Sequence, residues 1–215
     1  MAKINKIFWY SLRFLLLLFL ISVPQFVLSA FIAGKLSFLV AFLLFIILYL
    51  GALFCLFKTL KSLTTQIFRP LTPLQIKTVF LTLGATYIVN IFYALFSTNT
   101  QTQNNQVITE LFSLNLQVKI MMAFMTVIFA PLCEELLFRG ILINSFSAKY
   151  NGLGILLSGV LFGLVHLNNS AMGFLLYMTI GWLLAYSYCR HNNLTVSWCV
   201  HFLINTIATI GLFLS

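Results

Sequence analysis

Seven runs of apolar residues, separated by short polar turns, fix what this chain can fold into. A run of about 20 apolar residues suits a helix crossing a bilayer, where backbone hydrogen bonds must close within the segment. The runs extend from about Ile7 to Ala33, Leu36 to Phe57, Thr78 to Phe96, Ile120 to Phe146, Gly154 to Leu167, Ala171 to Tyr188 and Leu194 to Leu214. Only 7% of the residues are charged, against about 25% in soluble domains, which excludes a water-soluble fold and a disordered chain. The expected fold is all-α: one polytopic transmembrane helical bundle of about seven spans over residues 1–215, leaving no room for a separate soluble domain. Pro24 is an expected kink in the first span, which reads as uncleaved because Leu28 and Phe31 stand where a signal-peptide cleavage site needs small residues.

Orientation follows from the basic residues. With the N-terminus in the cytoplasm, inside segments carry Lys3, Lys6, Arg13, Lys58, Lys61, Arg69, Lys77, Lys149 and Arg190, and outside segments only Lys35 and Lys119. The net charge of +9 is therefore read as facing anionic lipid headgroups and not nucleic acid. Lys58 to Lys77 reads as an inner connection and Ser97 to Gln117 as an outer polar one. Cys55, Cys133, Cys189 and Cys199 show no paired spacing and read as small buried hydrophobes.

Acidic residues are few: no Asp and three Glu, namely Glu110, Glu134 and Glu135. Two adjoin within an apolar run, where ionisable groups face a partner or a cavity. Glu135 and Arg139 are four apart with the acid first, the favoured order for a helical ion pair. Glu134 points about 100° away and has no such partner. Pro131, just before the pair, removes a helix donor. Two other runs carry polar groups at four-residue spacing: Phe162 with His166, and His201 with Asn205. Arg190 and His191 read as solvated turn residues.

Counting from a turn near Tyr150, Glu134 lies 16 residues before it and His166 lies 16 after, about 24 Å deep on both sides of a hairpin. His201 and Asn205 come to roughly 13–20 Å above the turn near Asn192. Four polar groups near one depth suit hydrolysis: a carboxylate as general base, a histidine sharing the water's proton, and a second histidine and an amide as oxyanion donors. The same groups would also serve a proton or metal relay. Two equivalent halves with broken helices, expected of a transporter, are absent from the sequence.

The ordered set Glu134-Glu135-x-x-x-Arg139, Phe162-x-x-x-His166 and His201-x-x-x-Asn205 resembles the CAAX protease and bacteriocin-processing family. These Abi-type intramembrane proteases are related to the type II CAAX prenyl endopeptidases. The match covers about residues 120–214, the motif-bearing half. The resemblance implies a bacterial, multi-pass cell-membrane endopeptidase acting on a membrane-associated peptide, with a possible link to bacteriocin processing or self-immunity. It assigns Glu134 as base, His166 to water activation, and His201 and Asn205 to the oxyanion, with Glu135, Arg139 and Phe162 in support. No cofactor is expected; the alternative is zinc on Glu134, His166 and His201. The other functional reading is a non-enzymatic immunity or binding protein on the same scaffold. The partners expected are membrane lipids and the peptide.

The basic-residue asymmetry makes a direct prediction. A cysteine at Gln103 should react with a membrane-impermeant thiol reagent in intact cells, above the background of the wild-type chain. Labelling only after lysis would reverse the orientation.

Overall fold

The structure, a computed structural model, describes residues 2–65, 67–97, 101–146, 151–166 and 170–214, with side chains from residue 8 and not at 151. Lys149, Tyr150, Leu167, Asn168, Asn169 and residues 98–100 of the outer connection lie outside the described residues. All regular structure among the described residues is helical: α1 (Ala2–Ile32), α2 (Phe38–Lys61), α3 (Pro73–Phe96), α4 (Gln103–Leu114), α5 (Leu116–Ile143), α6 (Asn151–Val165), α7 (Ala171–His191) and α8 (Leu194–Leu214). Six of these are long and apolar enough to span a membrane, and α6 is a shorter apolar helix. The protein is a multi-pass membrane protein.

α5 is the axis of the bundle. α1, α2, α6, α7 and α8 pack around it, while α3 lies outside against α7 and α8. From Glu135 to Ile141 every residue of α5 is buried, whereas α1, α2 and α3 expose rows of Leu, Ile and Phe as helices bathed in lipid do. α1 runs on through Pro24 as one helix.

Two boundaries differ from those expected. α3 begins at Pro73 and not Thr78, because Thr72 and Gln75 form a capping box. The Thr72 side chain accepts from the Gln75 N–H, the Gln75 side chain accepts from the Thr72 N–H, and Pro73 occupies the first turn. The outer polar segment is not a plain loop either. Thr102 caps α4 by accepting from the Asn105 N–H, and Asn115, itself extended, ends α4 and caps α5 through the Val118 N–H.

The stretch before α3, residues 67–72, is clasped to the α7–α8 turn. Arg69 donates from its guanidinium to the carbonyls of His191 and Asn192 at 3.0 and 2.7 Å, where the end of α7 leaves acceptors unpaired. Asn193 and Thr195 return donors to the Arg69 carbonyl at 3.2 and 2.8 Å. Asn192 makes the turn with φ 45°. His191 is not simply solvated: its Nε2 lies 2.8 Å from the Thr78 hydroxyl.

α6 and α7 meet along glycines, the small residues that let membrane helices approach. A Cβ added at Gly181 would lie 2.9 Å from the Gly159 Cα and from the Phe162 Cβ. One added at Gly159 would fall within the Trp182 indole ring, whose Nε1 donates to the Leu156 carbonyl at 3.0 Å. Gly159→Ala should therefore displace Trp182 and cost on the order of 1–3 kcal/mol of stability. Thermal unfolding in detergent should show a clearly lowered Tm; an unchanged Tm would mean the helices can separate freely.

Candidate active site

The site is built on the irregular middle of α5. Two segments, Phe124–Phe129 and Glu135–Ile143, are π-helical, and between them Ala130–Glu134 is α-helical and contains Pro131. Such distortions are frequent at functional sites. The cause can be followed through the hydrogen bonds. The Ala130 N–H goes to the Met125 carbonyl, and Pro131 has no N–H. The Thr126 carbonyl is therefore left without a backbone donor at either helical spacing. Asn205 on α8 supplies one, its amide nitrogen donating at 2.8 Å. The Thr126 hydroxyl also meets that of Thr209 on α8 at 3.1 Å.

One turn further along, the two glutamates diverge. Glu135 is fully buried, and its Oε1 lies 2.9 Å from Arg139 Nη1 and 3.0 Å from His201 Nδ1. Arg139, also fully buried, donates from Nη2 to the Gly181 carbonyl at 3.1 Å and lies over the Phe162 ring at 4.6 Å. Arg139 and His201 thus converge on one carboxylate oxygen, and a buried charge needs such partners. Glu134 turns the other way. Its side chain is 19% exposed and lines a cavity of about 100 Å3 together with Leu18, Ile21, Ser22 and Gln25 of α1 and Tyr49 of α2. Cys133, read as a buried hydrophobe, is buried and borders the same cavity.

His201 bridges the two acids. With Nδ1 on Glu135, its Nε2 points to Glu134 Oε2 at 3.8 Å. That is longer than a hydrogen bond, and a water about 2.8 Å from each atom would complete a triangle with them. His166 lies just past the end of α6. Its Nδ1 is 2.7 Å from the Phe162 carbonyl, and its ring packs against Phe162 at 4.4 Å and stacks on Tyr177 at 4.2 Å and 16°. Phe162 touches both imidazoles, its ring 5.8 Å from that of His201.

The structure thus brings Glu134, Glu135, Arg139, Phe162 and His201 into direct contact and sets His166 at their edge. Asn205 stands apart: one of its two amide hydrogens is spent on Thr126. Among the described residues, no three His, Cys, Asp or Glu side chains group closely enough to hold a metal ion. Glu134 and His201 converge, but His166 does not join them as a third ligand. The residues present therefore do not fit a three-ligand zinc site. Sequence reasoning missed Tyr177, Gly181 and Thr126. Only Thr126 had a signal, its place five residues before a proline.

Residues 116–207 match the model of the type II CAAX prenyl endopeptidase Rce1-like family. A candidate membrane peptidase of Bacillus subtilis strain 168, YdiL, is 30% identical to the chain over 122 residues, which are 56% of this chain and 48% of the relative. The chain thus spans about half the length of the curated relative it matches. No solved structure matches the chain. The matched segment begins with α5 and takes in Glu134, Glu135, Arg139, His166, His201 and Asn205, while the α1 and α2 walls of the cavity lie outside it.

The orphaned carbonyl yields a prediction. Asn205→Ala should leave the Thr126 oxygen unpaired and cost about 1–3 kcal/mol. Pro131→Ala would return an N–H at the fifth position, so in that background Asn205→Ala should cost measurably less. Equal costs in both backgrounds, read from thermal unfolding, would show that the two residues are not coupled.

Proposed function

We propose that this chain is an intramembrane endopeptidase that hydrolyses a peptide bond of a membrane-associated substrate. The observation that carries this reading is the division of labour between adjacent acids. Glu135 is fully buried and engaged through Oε1 by Arg139 and His201, whereas the Glu134 side chain is 19% exposed and borders a cavity. A carboxylate held so is placed to act on water. The family match and the relative's description support peptidase chemistry in general.

In the mechanism we infer, the water between Glu134 and His201 gives a proton to Glu134 as its oxygen attacks the scissile carbonyl carbon. His166, fixed through Nδ1, shares in orienting the water. The developing oxyanion is met by His201 Nε2–H, whose ring Glu135 holds in register, and by the second amide hydrogen of Asn205. Glu134 then passes its proton to the departing amine nitrogen, which breaks the C–N bond and restores the carboxylate. No step requires a metal.

The cavity wall suggests the class of substrate. Leu18, Ile21 and Val165 offer apolar surface beside Ser22, Gln25 and Glu134, suiting a peptide that reaches the site with an apolar anchor. Bacteriocin processing or self-immunity is the cellular setting we attach to it, on the strength of the family resemblance.

The test compares two variants in proteoliposomes with a quenched-fluorescent peptide carrying an apolar anchor. Glu134→Gln should lose about 10²–10⁴-fold in turnover per folded molecule, at near-normal yield. Glu135→Gln should lower the yield of folded protein as well, since Arg139 loses its only acid partner among the described residues. Near-wild-type turnover by Glu134→Gln would favour the non-enzymatic binding protein instead. A second measurement addresses the metal: activity should survive exhaustive chelation, and activity lost and then restored by zinc would overturn the metal-free mechanism.

A further inference from the structure

Tyr177 links α4 to the site. The hydroxyl of Tyr177, on α7, is the meeting point of three polar groups at the start of α4. It donates to Asn105 Oδ1 at 3.0 Å, accepts from Asn104 Nδ2 at 3.1 Å, and lies 3.1 Å from the hydroxyl of the fully buried Thr102. Thr102 is also the cap of α4, so the same oxygen that starts the helix touches Tyr177. At its other end, the Tyr177 ring lies nearly parallel to the imidazole of His166, with centroids 4.2 Å apart and planes 16° from one another. Phe162 packs on His166 from elsewhere, its plane tilted by 43°. A ring confined by two aromatic neighbours and a backbone carbonyl has little rotational freedom left.

His166 needs that confinement. It follows the last residue of α6 and meets that helix through the Phe162 carbonyl and ring. We propose that Tyr177 is a positioning residue for His166, and that α4 sets the Tyr177 ring by gripping its hydroxyl. α4 thereby becomes a working part of the site and not a spacer between spans. This rests on the reading of His166 as a participant in hydrolysis. The link itself is structural and can be observed without turnover. Tyr177 makes no claim on the reacting atoms; it acts through the imidazole.

The experiment uses the full chain, labelled with nitrogen-15 histidine and placed in lipid nanodiscs. Three histidines, His166, His191 and His201, keep the ring spectrum assignable by single substitutions. Tyr177→Leu should shift the His166 ring resonances while leaving those of His191, at the opposite face, in place. Turnover of the anchored peptide should fall by about tenfold or more in kcat with KM little changed, as expected when a reacting group is misplaced by a fraction of an ångström to an ångström. Tyr177→Phe keeps the stack and should recover part of kcat. Asn104→Ala combined with Asn105→Ala, which leaves the bundle core untouched, should shift the same His166 resonances in the same direction. Unmoved His166 resonances in a folded Tyr177→Leu chain would overturn the proposal, as would unchanged kcat in that variant where His166→Ala loses turnover. Resonances that move in Tyr177→Leu while His166→Ala keeps full turnover would sustain the link and remove His166 from the mechanism.

Discussion

Everything in the centre of this bundle answers to one carboxylate oxygen. Glu135 Oε1 is held by Arg139 and His201 at about hydrogen-bond distance where no solvent reaches. Removing one member of a buried charge pair typically costs about 3–5 kcal/mol, because the charge left behind has nothing to replace its partner. The constraint spreads outward. Arg139 also needs the Gly181 carbonyl, which is within reach only because α7 lies against α6 at Gly159. His201 needs α8 at one height. Three helices are thus located by a single buried charge, and a residue at Gly181 larger than glycine would be felt at the imidazole.

The backbone of α5 supplies the second half of the design. Pro131 breaks the regular ladder, and the irregularity is absorbed by π-helical turns on each side. The carbonyl this strands is not left to water; it becomes the docking point for α8 through Asn205. A defect in one helix is thereby turned into an address for another. The same local geometry sends two neighbouring glutamates to different surroundings, one to the charge cluster and one to the cavity.

Much of this was legible in the sequence. Apolar run length located the spanning helices, and the four-residue spacing of Glu135 and Arg139 foretold their contact. Glu134 stood out because no cation lay at helical spacing from it. The beginning of α3 was also written there, in Thr72-Pro73-Leu74-Gln75, but hydropathy alone placed the start five residues late. α4 was hidden by its polar composition, since an apolar-run criterion discards a helix that lies outside the bilayer core. Counting depth at a uniform rise treats α5 as ideal, and its π-helical segments break that assumption. Tyr177 carries no periodic signal; its importance comes from two partners that both precede it by more than ten residues in sequence, His166 and the start of α4. Asn205 shows the opposite case, where a residue singled out for chemistry turns out to hold a backbone as well.

The clasp between Arg69 and the α7–α8 turn sets an order of events during synthesis. Arg69 meets residues 122 to 126 positions further along the chain. His201, which completes the charge cluster, lies on the same late helix. Chains emerge N-terminus first, so α1 to α7 must wait in the bilayer with the cluster incomplete. When α8 arrives, the clasp and the imidazole contact close together. Until α8 arrives, Glu135 and Arg139 lack the imidazole and the Arg69 clasp lacks Thr195.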